Sequence, residues 1–271
     1  MVVGLLWGVA LLNYMDRQML STMKPAMMID ISELQTAENF GRLLAIFLWI
    51  YGLMSPMAGL IADRVNRKWL IIGSLGVWSS VTLAMGYASS FNQLMVLRAI
   101  MGISEALYIP AGLALIADYH RGNTRSLAVG IHMTGLYAGQ ALGGFGATVA
   151  SAWSWQTAFH TFGLIGIVYG LILALLLFEQ REHALPRPEK AGSMGIFRSV
   201  KHSLGMLLGT ISFWIILFYF AVPSFPGWAI KNWLPTLFSQ TLAIDMSVAG
   251  PLSTITIAVS SFIGVIAGGI I

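Results

Sequence analysis

The sequence predicts an all-α protein that crosses a membrane several times, and three observations favour this fold class. Hydrophobic residues make up 57% of the 271 residues and charged residues only 10%, whereas soluble domains carry about 25% charged residues. The apolar residues form runs of about 20, the length of a helix that crosses the hydrocarbon core of a bilayer. Glycine, present 29 times, is frequent in membrane helices because it lets two helix backbones approach closely.

Eight apolar runs predict eight membrane helices, which we call spans 1 to 8. Span 1 is too long for a signal peptide and no small-residue cleavage site follows it, so we expect it to be retained. The hydrophilic segment 179–205 predicts a cytoplasmic linker between an N-terminal six-helix bundle at 1–178 and the start of a second bundle at 206–271. The eight spans lie at about 2–28, 41–62, 69–89, 92–117, 124–150, 155–178, 206–238 and 247–271.

The basic residues predict how the spans are oriented. Ten of the 15 Lys and Arg residues lie in three alternate loops, whereas the opposite loops are acidic or uncharged. Because Lys and Arg are enriched in cytoplasmic loops, we expect a cytoplasmic amino terminus and a location in the inner (plasma) membrane. Since the net charge of +4 comes from these short loops, no nucleic-acid partner is expected. The ten residues are Arg64, Arg67, Lys68, Arg121, Arg125, Arg181, Arg187, Lys190, Arg198 and Lys201.

A weak internal repeat predicts further helices. The segment 25–41 is similar to 235–250, and 58–61 is similar to 267–270, each at an offset of about 209 residues. Parallel repeats of six helices are a known plan of transporters. The second copy stops at Ile271, where the charged loop should begin, so we expect a complete protein with about four more helices. The 271 residues alone are expected to be inactive unless a second chain completes them, and the complete protein is expected to act as a monomer.

The loop after span 2 carries a spaced set of charges. Residues 59–68 follow the pattern G-x-x-x-D-R-x-x-R-K. The dipole of a helix favours basic residues at its carboxyl end, but a simple stop-transfer cluster would need only the basic residues. The full spacing resembles the signature loop of the major facilitator superfamily. This resemblance implies a twelve-helix bundle in two halves around a central cavity, with a gating loop that latches the halves in the outward-facing state. The implied gating residues are Gly59, Asp63, Arg64 and Arg67.

Four charged residues lie inside the predicted spans. They are Asp16 and Arg17 near the middle of span 1, and Arg98 and Glu105 on span 4. Each charge costs about 2.5–3.5 kcal/mol at a helix centre, so partners or a cavity are expected. Arg98 and Glu105 are two turns apart, about 10 Å along one helix face, and the orientation of the spans gives Arg17 a similar depth.

Two compatible interpretations of these charges remain open. In the first, they form a neutral set of ion pairs that ties span 1 to span 4. In the second, the two arginines clamp a carboxylate or a phosphate, which suits the fork geometry of guanidinium groups. Asp16 or Glu105 then takes up and releases a proton as the substrate binds.

Three motifs extend the resemblance to one branch of the superfamily. Residues 13–17 have the sequence N-Y-M-D-R and resemble the N-Y-x-D-R of the anion:cation symporters. Arg98, Gly102 and Glu105 have the spacing of the fourth-span motif of that branch, and Tyr51 matches an aromatic position that lines its cavity. The branch carries sugar acids, sialic acid, phosphate and other organic anions. The resemblance implies a proton-coupled symporter of a small organic anion that works by alternating access, with the proton gradient as its energy source and without a cofactor.

The resemblance also implies residue roles. Asp16 and Glu105 are the expected proton-coupling carboxylates. The segment 132–135 is H-M-T-G, where the branch often has F-N-S-G, so His132 either contacts the substrate, senses pH near neutrality or is bonded to a neighbouring helix. Spinster-like lipid carriers share the N-Y-x-D-R start and are the nearest alternative. The expected substrate-binding residues are Arg17, Tyr51, Arg98 and His132.

Two lysines in the spans have alternative explanations. Lys24 is near the outer end of span 1 and can snorkel to the membrane interface. Lys231 in span 7 can also snorkel, or it can serve as a third cation for the substrate. Three prolines are expected to break span 7, and interrupted helices line the cavities of transporters. These prolines are Pro223, Pro226 and Pro235.

Other function classes receive little support from the sequence. The absence of cysteine excludes disulfides and thiol catalysis, and no G-x-x-x-x-G-K-[ST] loop for nucleotides occurs. The five histidines are scattered, so we expect neither a metal site nor an enzyme. A membrane sensor or scaffold that does not transport remains an alternative, and it would tolerate neutral residues at Arg98 and Glu105.

Overall fold

The structure of the chain is a computed structural model, which describes residues 1–120, 122, 124–178 and 204–270, with side chains up to residue 264. Within these ranges the regular elements are α-helices and one 3₁₀ turn, Ser32–Gln35, which confirms the all-α fold class. The main α-helices are α1 (Val2–Asp30), α2 (Ala37–Arg64), α3 (Arg67–Met85), α4 (Phe91–Ala106), α5 (Tyr108–Tyr119), α6 (Thr124–Gly143), α7 (Gly146–Ala152), α8 (Trp155–Leu176), α9 (Ile211–Leu242) and α10 (Met246–Ile270).

Side-chain caps fix the start of four helices. In each case a side-chain oxygen accepts a hydrogen bond from a backbone N–H of the first turn, which has no partner within the helix. The cap before α2 places its start at Ala37, four residues ahead of the predicted span. The capping residues are Thr36 before α2, Asn66 before α3, Ser90 before α4 and Ser154 before α8.

The predicted spans 4 and 5 each contain a local break. In span 4, Leu107 N–H donates to Ser104 at 3.2 Å, a tighter turn than that of an α-helix, and α5 continues from there. In span 5, Gly144 N–H donates to Ala141 at 3.1 Å, and α6 ends where α7 begins. Pro110 in the first turn of α5 cannot donate to the carbonyl of Ala106, where α4 ends, and the second break lies at the Gly143–Gly144 pair; the predicted spans included neither break.

Six helices in the described part of the chain are long and apolar enough to cross a membrane. They are α2, α3, the α4–α5 pair, α8, α9 and α10 as far as Gly264. The helices α1 and α6 occupy spans 1 and 5, but buried polar residues interrupt their apolar sequence. In α1 these include Asn13 and Gln18, and in α6 His132 and Gln140.

Glycines bring α6 against the central helix α1. A Cβ atom added at Gly139 would lie 2.1 Å from the carbonyl oxygen of Leu11, and one added at Gly143 would lie 2.7 Å from that of Met15. The two glycines are four residues apart and so are the two carbonyls, because both helices present one face to the other. Only glycine allows this close approach, as in other small-residue contacts between membrane helices.

Prolines leave carbonyl groups free, and residues of the first six spans bond to two of them. Proline has no N–H, so the carbonyl four residues earlier loses its helical partner. Before Pro235 this carbonyl belongs to Lys231, and Gln18 Nε2 donates to it at 3.3 Å. Before Pro251 it belongs to Ser247, and Thr148 Oγ1 donates to it at 2.9 Å. The expectation that prolines break span 7 was therefore wrong, since α9 runs without interruption through all three of its prolines.

The predicted division into two bundles remains a prediction. Residues 179–203 of the expected linker lie outside the described part of the chain and contain five of the ten basic residues used for orientation. A sixth, Arg121, is also outside it. Helices α9 and α10 nevertheless contact the first six spans, since a Cβ added at Gly250 would lie 2.4 Å from the carbonyl oxygen of Gly144.

Candidate functional site

A buried ion pair joins the first span to the fourth. Arg17 Nε donates to Glu105 Oε2 at 2.6 Å, and the two side chains are 8% and 0% exposed. A charged group at this depth is stable only when it is paired and hydrogen-bonded. The structure thus places Arg17 at the depth of Glu105, as the orientation of the spans predicted.

Aromatic rings surround the Arg17 guanidinium on its other sides. Its central carbon lies 4.9 Å from the ring centre of Tyr14, 4.8 Å from that of Phe47 and 4.8 Å from that of Tyr51. Such contacts stabilise a cation by about 0.5–2 kcal/mol, more when water is excluded. The predicted substrate residue Tyr51 therefore lies beside Arg17, one turn of α2 away from Phe47.

Arg98 shares the ring of Phe47 with Arg17. Its guanidinium carbon is 4.5 Å from the ring centre, and its Nη1 reaches the sulfur of Met101 at 3.2 Å. Arg98 is 2% exposed, and among the described residues no carboxylate lies within 4.0 Å of it. Arg98 Nε and Arg17 Nη2 both lack a hydrogen-bond partner in the described structure. A buried donor left unpaired costs about 1–3 kcal/mol, so a hydrogen-bond acceptor next to these two nitrogens would be stabilising.

Asp16 lies apart from the ion pair. Consecutive residues on a helix point about 100° apart, so Asp16 and Arg17 face different neighbouring helices. Asp16 Oδ2 accepts a hydrogen bond from Thr82 Oγ1 of α3 at 3.1 Å. Its Oδ1 has no partner in the described structure. Among the described residues, Arg17–Glu105 is the one ion pair of this set, and it ties span 1 to span 4 as the first interpretation expected. Asp16 and Arg98 form no ion pair within 4.0 Å there.

His132 does not lie beside the arginines. It is fully buried on α6, and its ring centre is 6.0 Å from that of Tyr108. The hydroxyl of Tyr108 donates to the carbonyl of Leu6 at 2.8 Å, and Leu6 precedes Arg17 by eleven residues, about 16 Å along the helix. Both ring nitrogens of His132 lack a hydrogen-bond partner in the described structure, so the expected bond to a neighbouring helix is not observed. Its contact with substrate remains a prediction.

The loop predicted as a gate ties helix ends together. Arg67 Nη1 forms an ion pair with Asp118 near the end of α5 and donates to the carbonyl of Ala114 at 3.4 Å. Asp63 and Arg64 are exposed. No described atom lies within 4 Å of a Cβ built on Gly59, so the described part of the chain does not require glycine at this position.

Lys24 lies against two aromatic rings, and its snorkelling to the membrane interface remains a prediction. It is 9% exposed, and its ammonium lies 5.0 Å from the ring centre of Phe40 and 5.2 Å from that of Trp233. The two rings come from α2 and α9, so this cation–π contact joins three helices at the Asp30 end of α1.

Sequence reasoning missed three residues that shape the site. Phe47 contacts both arginines, Thr82 binds Asp16, and Asp118 pairs with Arg67. Phe47 could have been found from its spacing of four residues to Tyr51, which puts both on one helix face. Thr82 carried no signal, because a neutral hydroxyl is common in membrane helices.

A comparison with known families identifies the architecture. The model of the Major Facilitator Superfamily matches residues 6–271. The chain belongs to this superfamily. A crystal structure of a bacterial homolog of the human lysosomal transporter spinster is similar over 96% of this chain and 60% of its own, with 23% sequence identity and a TM-score of 0.74. This likeness confirms the major-facilitator helical bundle.

Two relatives with different names are similar to this chain in sequence. The D-galactonate transporter of Escherichia coli O6:H1 is 26% identical over 86% of this chain and 58% of its own length. Protein spinster homolog 1 of Homo sapiens is 27% identical over 80% of this chain and 43% of its own length. The chain thus spans about half the length of these two relatives.

Proposed function

We propose that the complete protein is a secondary active transporter that moves a small organic anion, such as a sugar acid or sialic acid, across the inner membrane. The observation that carries the proposal is the pair of buried arginines around Phe47, each with a guanidinium nitrogen that lacks a partner in the described structure. Two guanidinium groups suit a carboxylate, which accepts parallel hydrogen bonds from such forks. Similarity to a D-galactonate transporter supports the substrate class.

Proton coupling follows from competition for Arg17. Glu105 holds Arg17 through one oxygen, and a substrate carboxylate that binds Arg17 displaces it. A displaced carboxylate in the membrane interior is costly as an anion, so binding of the substrate favours binding of a proton to Glu105. Asp16, whose partner in the described structure is the neutral Thr82, is the second proton site.

Transport proceeds by alternating access, in which the two halves rock about a site near the midplane. The Arg67 end of the bundle faces the cytoplasm, as the positive loops indicate. There the contacts of Arg67 and Lys68 with α5 and α8 hold the gating loop in place, while the exposed Asp63 and Arg64 are available to the second half.

Uptake into liposomes tests this proposal. The complete protein should accumulate a radiolabelled sugar acid when the proton gradient is directed inward and should equilibrate it without a gradient. Arg98→Ala should abolish uptake. Arg42→Ala is the matched control, because Arg42 is an exposed arginine that pairs with Glu38 one turn away. Equal uptake with and without the gradient would show that transport is not coupled to protons. Normal uptake by Arg98→Ala would show that Arg98 does not bind the anion.

A spinster-like carrier of lipids or sugars is the second candidate. The observation that favours it is the likeness to spinster homologs in both sequence and fold. In that case lipids or neutral sugars should stabilise the purified protein, and Arg98→Ala should leave that effect intact.

A further inference from the structure

A second cation lies against aromatic rings two turns outward of the arginine site. Lys24 follows Arg17 by seven residues on α1, and Phe40 precedes Phe47 by seven residues on α2. Seven residues make two helical turns, so each pair lies on one face of its helix, about 10 Å apart along the axis. The contact of Lys24 with Phe40 therefore repeats that of Arg17 with Phe47, closer to the Asp30 end of α1.

Trp233 completes this cluster from α9, which belongs to the predicted second bundle. Its ring centre is 5.9 Å from that of Phe40, in an edge-to-face arrangement. The Lys24 ammonium lies 5.0 Å from the Phe40 ring centre and 5.2 Å from that of Trp233. Among the described residues, no carboxylate lies within 4.0 Å of this ammonium. The two rings are thus the stabilising contacts that the structure shows for the Lys24 charge.

Helices α1 and α9 also meet between this cluster and the arginines. Gln18 Nε2 donates to the carbonyl of Lys231 at 3.3 Å and to the hydroxyl of Ser21 at 2.9 Å. Ser21 is fully buried and lies on the face shared by Arg17 and Lys24, four residues after the first and three before the second. A path from the Asp30 end to Arg17 along this face would therefore pass the Lys24 cluster before it reaches Ser21.

A lysine suits a contact that has to open and close. While the cluster is closed, the faces of both rings attract the ammonium, and the attraction is stronger when water is excluded. When α9 moves away, water hydrates the ammonium, so the charge favours the open state. An apolar side chain in the same place would oppose opening, because exposing it to water is unfavourable.

We infer that Lys24, Phe40 and Trp233 form the outer gate of the transport path, and that the contact of Lys24 with Trp233 helps to set the balance between the open and closed states of the outer side. This inference rests on the alternating access of the proposed function and adds the residues that close one side. It does not depend on the identity of the substrate.

Thiol labelling from the outside tests the gate, because this chain contains no cysteine. Ser21→Cys is introduced into the complete protein, after any cysteine in its remaining part has been replaced. Right-side-out vesicles are then treated with a membrane-impermeant maleimide without substrate. The reagent reaches residue 21 only while the outer side is open, so the labelling rate follows the population of that state. Glu33→Cys, at an exposed position between α1 and α2, is the control for access of the reagent.

Two variants should change this rate in opposite directions. Trp233→Leu removes one ring from the buried cation, so labelling should become about 2- to 30-fold faster. Lys24→Met removes a charge that is costly to bury and keeps an apolar side chain against both rings, so labelling should become at least about twofold slower. Slower labelling is a result that misfolding cannot produce, because an unfolded chain exposes residue 21.

Two further variants are matched controls. Trp233→Phe keeps an aromatic ring beside Lys24, so its labelling rate should stay closer to that of the wild type than the rate of Trp233→Leu. Trp214→Leu removes a tryptophan of the same helix whose described ring contacts are with Phe213 and Phe218 of α9 itself. Its labelling rate should equal that of the wild type.

Three results would overturn the inference. If Trp233→Leu is labelled at the wild-type rate, its contact with Lys24 does not gate the path. If Lys24→Met is labelled faster, as Trp233→Leu is, looser packing rather than the cation explains the change. If Ser21→Cys is not labelled while Glu33→Cys is, the outer path does not pass this cluster. In each case Arg98-dependent uptake of a sugar acid would still support the proposed function, whereas opposite changes in labelling without such uptake would support the gate alone.

Discussion

Phe47 sits between the two arginines that define the candidate site. Its ring lies 4.8 Å from one guanidinium carbon and 4.5 Å from the other, so it offsets the repulsion of two like charges through its negative faces. A single apolar residue thereby keeps Arg17 and Arg98 close together in the interior.

Replacing Phe47 should weaken anion binding. We expect Phe47→Leu to lower the affinity about 2- to 30-fold, the equivalent of about 0.5–2 kcal/mol of cation–π energy. The affinity is measured by titration of the purified complete protein. Phe225→Leu, at an exposed position of α9, is the control, and equal affinities in the two variants would show that the ring of Phe47 does not organise the site.

Removing the charge of Glu105 should separate binding from coupling. Glu105→Gln keeps the shape of the side chain but cannot release a proton, so we expect gradient-driven accumulation to be abolished. Exchange of labelled for unlabelled anion across the membrane should persist, since it needs no net proton movement. Glu38→Gln, at an exposed ion pair, should leave both activities unchanged; accumulation by Glu105→Gln would assign coupling to another residue.

At this scale the sequence predicted the charged members of the site but not their pairing. Arg17, Arg98 and Glu105 stood out because charges are costly inside apolar spans. That Glu105 pairs with Arg17 rather than with Arg98 depends on how α1 and α4 are rotated, which a single sequence does not specify. Neutral partners such as Thr82 carry no comparable signal.

At the scale of the helices, glycines hold α6 against α1. Gly139→Ala adds a Cβ at 2.1 Å from a backbone oxygen of Leu11, which α1 cannot accommodate without shifting. We expect a loss of about 1–3 kcal/mol, seen as a lower melting temperature in detergent. Gly130→Ala on the same helix has no described atom within 4 Å of the new Cβ and should be neutral or stabilising. Equal melting temperatures would mean that this close approach is not maintained.

Free carbonyls before prolines connect α9 and α10 to the first six spans. Pro235→Ala restores an N–H for the Lys231 carbonyl, so that carbonyl no longer depends on Gln18. We expect Gln18→Ala to cost less in the Pro235→Ala background than in the wild type, with an interaction energy of about 0.5–1.5 kcal/mol. A double-mutant cycle of unfolding free energies measures this difference. Strictly additive values would show that Gln18 does not bond to the Lys231 carbonyl.

The helices themselves were largely predictable. Apolar length located all eight spans to within a few residues, because the hydrocarbon thickness sets the length of a spanning helix. The expected break in span 7 was wrong, since α9 continues through its prolines and Gln18 of α1 bonds to the carbonyl that Pro235 leaves free. The breaks at Leu107 and Gly144 lie at two local signals that the predicted spans did not use, Pro110 and the Gly143–Gly144 pair.

For the whole molecule, the arrangement favours a transporter over a sensor. A sensor or scaffold of the same fold would not need unpaired guanidinium nitrogens in its interior. Replacing its buried charges with apolar residues would stabilise the folded protein. The described helices hold Arg17 and Arg98 on either side of Phe47, where the proposed anion would bind. The complete protein, about twice as long in the relatives above, is the form in which this site can be assayed.

Thermal unfolding of the purified complete protein in the presence of sugar acids, sialic acids, dicarboxylates and phosphates is the measurement to make first. We predict that one anion class raises the melting temperature by about 5 °C or more at a ligand concentration of about 100 times Kd. The shift should vanish in Arg98→Ala and persist in Arg42→Ala. If no anion raises the melting temperature, or if Arg98→Ala responds as the wild type does, the buried arginines are structural and the protein does not bind anions at this site.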